Sequence, residues 1–368
     1  TDVTARAVQA KYVSGSQLGF DFNTGGTQGT VATSPTAGGY GAASTTLVFA
    51  SGSGTTRITG NPTYTGATNI VAGTLDIASA TDVTLSGAIS GGGDLVKSGT
   101  GTLTLSAANT HSGGTRLEAG ILAAGNNAAL GTGTLTLAGG SIRPTATRAL
   151  GNAISVATGT TSGLIDGGSG DLLYTGAATG DGNLAANSTT SRSMWLQGDW
   201  SGFTGEIEFT VNTNGTNYRL GGAPGSTSAN DGTNGSDFSQ ATFVLSGGGT
   251  NRGLSWNGAQ GATVQVGTLS GTGGRIITGA SGRDANWEIG GLNADSSTAV
   301  VITGPGTSLT KVGTGTLTLN GSSSYGDGTT VNAGTLDLDA TSAIGTGSLT
   351  IAAGASVNSL RAFAISTD

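Results

Sequence analysis

Cysteine is absent from this chain of 368 residues. That excludes a disulfide framework, thiolate chemistry and cysteine-ligated zinc. Histidine occurs once, at His111, too few for a Ser-His-Asp arrangement or a histidine-rich metal site. Its setting, Asn109-Thr110-His111-Ser112-Gly113-Gly114, reads as a loop tip, and a solvated turn residue is expected there. Charge is scarce as well: 14 Lys and Arg against 21 Asp and Glu, 10% of the chain, where an ordinary globular domain carries about 25%. The net charge is −7, and the only lysines are Lys11, Lys97 and Lys311. Nucleic acid needs a positive stripe, so it is not an expected partner. No apolar run reaches the 18 or so residues of a membrane-spanning helix. The first residue is Thr1 rather than Met, consistent with a removed signal sequence or with trimming.

Seventy glycines are present, yet proline is held to 5, and Val, Leu and Ile recur in regular alternation. Disordered chains lack that alternation and carry more charge. Repeats explain it. Residues 95–140 align without a gap with residues 309–354, 214 positions on, with 22 of 46 positions identical. Residues 64–80 match 325–341 as a third, partial copy. Inside each copy the period is two. Leu103 and Leu105 alternate with Thr102 and Thr104, and Leu336 and Leu338 with Asp337 and Asp339. Such alternation marks strands with one buried and one wet face, and glycine pairs such as Gly99 and Gly101 mark the turns between them. Helical spacing is not visible over a useful length; residues 3–13 read as a short helix or an edge strand.

The expected fold is all-β: a right-handed parallel β-helix (β-solenoid) forming a single elongated domain. Small aliphatic side chains suit a narrow bore, and low charge suits coils with few exposed tips. At roughly 20–25 residues per coil the chain makes about 15–18 coils. Four stretches are distinguished: entry coils at 1–60, regular repeats at 61–180, irregular aromatic coils with longer loops at 181–300, and a regular repeat with a C-terminal strand at 301–368.

The irregular stretch holds all four tryptophans, Trp195, Trp200, Trp256 and Trp287, with Asn-rich loops. Two readings stand: wider coils whose corners need larger side chains, or an aromatic, Asn-lined surface patch that binds glycans or a partner subunit.

The pattern Lys97, Gly99, Gly101, Leu103, Leu105 returns as Lys311, Gly313, Gly315, Leu317, Leu319. With Ala333-Gly334-Thr335-Leu336 and Ala72-Gly73-Thr74-Leu75, it resembles the autotransporter-associated β-strand repeat. In the 95–140 copy the second part reads Ala119-Gly120-Ile121-Leu122, and His111 stands where Tyr325 stands later. The resemblance implies a secreted or cell-surface bacterial β-helix. The outer-membrane barrel of an autotransporter, with its aromatic girdles, is not seen at the C-terminus.

Catalytic chemistry finds little footing, and no enzyme and no cofactor are expected. Asp337 and Asp339 lie two apart on one face and form a candidate carboxylate pair. Asp166-Gly-Gly-Ser-Gly-Asp171 approaches a calcium-binding repeat but lacks its spacer and its tandem copies. Asp166 and Asp171 are therefore weak calcium candidates. A solenoid has two strand edges open to pairing. Val8, Tyr12, Phe20 and Phe22 near one end, and Phe363 and Ile365 near the other, are candidates for head-to-tail self-assembly into a filament or matrix layer. The alternative is an adhesin-type passenger that binds glycans or a cell surface through the aromatic stretch.

Overall fold

The structure is a computed structural model that describes residues 10–13, 17–20, 29–31, 46–62, 64–165, 170–187, 192–211, 217–221, 235–247, 253–277 and 282–361. The chain divides into two compact units, Thr1–Leu172 and Leu173–Asp368. Among the described residues the fold is all-β, a parallel β-solenoid of about 12 coils with no helix.

In the first unit each regular coil contributes one strand to each of two sheets. Asp94–Lys97 pairs in parallel with Gly114–Leu117, and that strand with Leu135–Leu137. After a glycine corner, Thr102–Leu105 pairs with Ile121–Ala124, and that strand with Ser141–Pro144. The register sets like on like: Leu103 lies beside Leu122, and Leu122 beside Ile142, all fully buried. Each such side chain stabilises the stack by about 1.5–3 kcal/mol. Corners stack as closely as strands. A Cβ on Gly99 would stand 2.1 Å from the Ser79 carbonyl oxygen of the coil before, so only glycine fits. Near the N-terminus, Ala10–Val13 pairs antiparallel with Gln17–Phe20, which also pairs in parallel with the strand Thr46–Ile58.

In the second unit the strands lie on a third face as well. Ser193–Leu196, Asn217–Leu220 and Leu254–Trp256 stack in one sheet, and Glu206–Thr210, Gly235–Ser246, Ala262–Ser270 and Ala285–Ile289 in another. Later coils add a four-stranded sheet ending on Thr335–Leu338 and Ser356–Ser359. Here the bore is wide and aromatic. Phe243 lies 5.2 Å from Phe209 and 5.0 Å from Phe238, and Phe238 lies 5.5 Å from Trp200, centroid to centroid. The coils lengthen too. The Ser255 hydroxyl meets the Tyr218 carbonyl across 37 residues, against 20 between Ile89 and Asn109 in a regular coil. Long coils of this kind bring the coil number below the expected 15–18.

Candidate functional site

The repeat motif is built around a buried cation. Lys97 and Lys311 occupy inward strand positions and are each 1% exposed. A buried ammonium is tolerated only when its protons are met. The Lys311 Nζ donates to the carbonyls of Val312 (2.6 Å), Gly313 (2.9 Å) and, one coil on, Ala333 (3.2 Å). The Lys97 Nζ donates to the Gly99 carbonyl and to that of Ala119 at 3.3 Å. Burial draws both ammonium groups below the usual lysine range, an effect partly offset by Asp76 and Asp82 at Lys97 and by Asp295 at Lys311. The glycine of the Ala-Gly element is required where the coils approach most closely: a Cβ on Gly120 would stand 2.4 Å from the Gly99 carbonyl oxygen, and one on Gly334 2.4 Å from that of Gly315. Gly120 and Gly334 have φ of 68° and 67°, and a Cβ there would stand 2.8 and 2.9 Å from the lysine Nζ.

A second device recurs four residues apart. Thr68, Thr115 and Thr329 point inward and are buried, so each hydroxyl needs a partner. Tyr64 meets Thr68 at 2.7 Å and Tyr325 meets Thr329 at 2.5 Å. In the middle copy His111 Nε2 lies 2.9 Å from Thr115 Oγ1, which donates its proton to the Leu130 carbonyl at 3.0 Å. The imidazole must therefore donate from Nε2, which leaves Nδ1 bare, and that atom has no partner. His111 is thus fully buried, not the solvated turn residue its Ser/Gly surroundings suggested. Burial pulls its pKa down from 6.5 to about 4. The inward threonine needs a polar ring, and that need overrides the polar look of the loop.

The tryptophans form no exposed patch. Trp195, Trp200, Trp256 and Trp287 are between 1% and 4% exposed. Trp287 alternates inward on its strand, Trp256 ends the wholly buried strand Leu254–Trp256, and Trp256 Nε1 donates to the Ala259 carbonyl at 2.7 Å. Trp195 lies under the Arg219 guanidinium, 4.9 Å from the ring centroid. Large rings gain most from leaving water, and the longer coils give them room.

The other sequence candidates are dispersed. Asp337 accepts from Asn358 at 2.8 Å and Asp339 from Arg361 at 2.7 Å, so each of the two carboxylates ties its coil to the next. Asp171 pairs through its backbone with Thr147 and Arg148, and Asp166 lies outside the described residues. Among the described residues no three His, Asp or Glu side chains gather as metal ligands. Tyr12 and Phe20 lie on strands paired within the chain, in backbone register with Leu18 and Ala10 respectively. Val8, Phe22, Phe363 and Ile365 lie outside the described residues.

One surface feature went unread in the sequence. On the outer face of the first unit a hollow of about 290 Å³ is lined by Thr74, Asp94, Gly114, Arg116, Thr134 and Thr136, among others. The register puts Thr74, Asp94 and Gly114 in one outer row, and Arg116 and Thr136 in the next. Asp94 and Arg116 come from adjacent coils, so no local motif announces them.

Comparison with known proteins bears on the repeats. The family model described as the passenger-associated-transport-repeat matches residues 50–77, 95–124 and 309–338. Three stretches of the chain are thus similar to this transport repeat. The matched segments hold the Lys97 and Lys311 clamps and the rings of Tyr64, His111 and Tyr325 with their threonines. The Adhesin BmaC autotransporter of Brucella suis biovar 1 (strain 1330) is 35% identical over 169 residues, which covers 41% of this chain and 5% of that protein. The chain thus matches a small part of the curated relative's length. No solved structure matches the chain.

Proposed function

We propose that the chain is a non-enzymatic passenger segment of a bacterial surface adhesin, a solenoid that presents its outer faces to a surface outside the cell. The observation that carries this reading is the transport repeat, found three times and built from buried clamps that serve stacking. The adhesin relative supports it over 169 residues. Attachment of the purified chain, coupled to beads, to epithelial cells and to immobilised extracellular matrix tests it. Retention well above that of beads carrying an unrelated β-solenoid is expected. Beads that wash off like the control would contradict the proposal.

One observation favours a second reading, end-to-end assembly. Ile351 sits in register with Val331, which is fully buried, yet Ile351 is 47% exposed. Among the described residues no strand pairs with the far side of Leu349–Ile351, which leaves an apolar edge of the kind that templates another strand. Electron microscopy of concentrated chain would show filaments under this reading, lost in Ile351→Asp. Isolated particles at every concentration would contradict it.

A further inference from the structure

We infer that the hollow over Gly114 is a binding site for a neutral saccharide of one or two rings. The inference rests on the adhesin reading and names its ligand. The hollow exists because a side chain is missing from an outer row. Gly114 has φ of 140°, and a Cβ there would stand 3.0 Å from the Thr134 carbonyl oxygen. The carboxylate of Asp94 leans over the glycine pair, with Oδ1 2.7 Å from where a Cβ on Gly113 would be. Across the gap stands Arg116, whose side chain is 44% exposed and paired with Glu118 at 2.8 Å. The hydroxyl-bearing Thr74, Thr134 and Thr136 complete the wall.

This set of groups selects its ligand. A carboxylate accepts from two hydroxyls at once, and a guanidinium donates a fork of hydrogen bonds. Threonine hydroxyls give and take, as sugar hydroxyls do. Asp94, Arg116 and Glu118 sum to one negative charge, and the chain carries −7, which disfavours sialylated, sulfated or phosphorylated ligands. The volume of about 290 Å³ lies at the lower edge of small-ligand sites, too small for a folded peptide and right for one or two sugar rings. No aromatic platform lines the hollow, so single-site affinity is weak, and attachment draws on many copies at a cell surface.

The second full repeat supplies a control within the same chain. There the glycine is kept as Gly328, with φ of 92°, but Asp94 and Arg116 are replaced by Ser308 and Thr330. The floor remains and the charged pair is gone.

The test is an array of neutral di- to tetrasaccharides, followed by titration calorimetry with the best disaccharide. Wild type, Asp94→Asn, Arg116→Gln and Ser308→Ala are compared, each with its thermal midpoint as a check on folding. Binding is expected for wild type, to weaken at least tenfold in Asp94→Asn and Arg116→Gln, and to persist in Ser308→Ala, which lies in the repeat that lacks the charged pair. No saccharide bound by wild type, preference for a peptide or an acidic glycan, or full binding by folded Asp94→Asn would overturn the inference. Beads of wild type and Asp94→Asn in the attachment assay separate the two levels. If both adhere equally, the hollow inference fails and the adhesin reading stands. If wild-type beads do not adhere at all, the adhesin reading fails.

Discussion

The ammonium of Lys311 reaches the carbonyl of Ala333 at 3.2 Å, 22 residues further along the chain and one coil away. Lys97 makes the equivalent contact to Ala119, also 22 residues on. The most polar side chain of the repeat is thus an internal clamp between coils. Replacing either lysine with Met leaves two or three buried carbonyls without a donor, each costing about 1–3 kcal/mol. Lys97→Met is expected to raise hydrogen exchange across residues 95–124, and Lys311→Met across 309–338, with each segment left largely unaffected by the other substitution. Unchanged protection would contradict the clamp.

The glycines that receive the lysines are coupled to them. Gly120→Ala places a Cβ 2.4 Å from the Gly99 carbonyl oxygen, 2.5 Å from that of Gly101 and 2.8 Å from Lys97 Nζ, and forces a non-glycine residue to φ of 68°. We expect destabilisation of about 1–3 kcal/mol. In a Lys97→Met background part of that cost disappears, because the flexible Met yields. A double-mutant cycle in urea should give a coupling of about 0.5 kcal/mol or more; strict additivity would contradict the contact.

His111 makes one coil sensitive to acid. The folded ring has a pKa of about 4 and the unfolded ring about 6.5. Between those values the unfolded chain binds more protons, so stability is whole above pH 6.5 and erodes as pH falls toward 4, with nothing further lost below. The ceiling on this loss is about 3 kcal/mol. His111→Tyr installs the ring found at Tyr64 and Tyr325, and is expected to keep the Thr115 bond and flatten the pH profile. Equal slopes for both proteins between pH 4 and 6.5 would count against a buried neutral imidazole.

The tryptophans serve packing. Trp287→Ala is expected to cost about 3–5 kcal/mol, read as an earlier thermal transition. Any attachment of the chain to cells should survive at temperatures below that transition. Selective loss of attachment in a folded variant would return the indole to the surface.

Much of the fold was legible because period-two ladders such as Thr102–Leu105 and glycine corners such as Gly99 carry their structure locally. Trp287 was legible in principle, since it alternates with Asn286 and Glu288 and shares a face with Ala285 and Ile289. Its count among aromatics drew more notice than its parity. His111 misled because its neighbours are small and polar, although an aromatic or imidazole ring four residues before threonine recurs in all three copies. The Asp94–Arg116 hollow could not be read. Which outer residues adjoin depends on the length of each coil, and only the folded register sets it.

The most direct test of stacked coils uses the absence of cysteine. Thr136 is in parallel register with Ser155 on one pair of adjacent coils, and Thr330 with Thr350 on another. Cysteines placed at each pair stand at strand spacing on the outer face, within disulfide reach. Near-complete intramolecular cross-linking of both pairs under mild oxidation, with none for Thr136 paired to the inward Val156, is the predicted result. Thiols that stay free at either in-register pair would contradict the solenoid and all that rests on it.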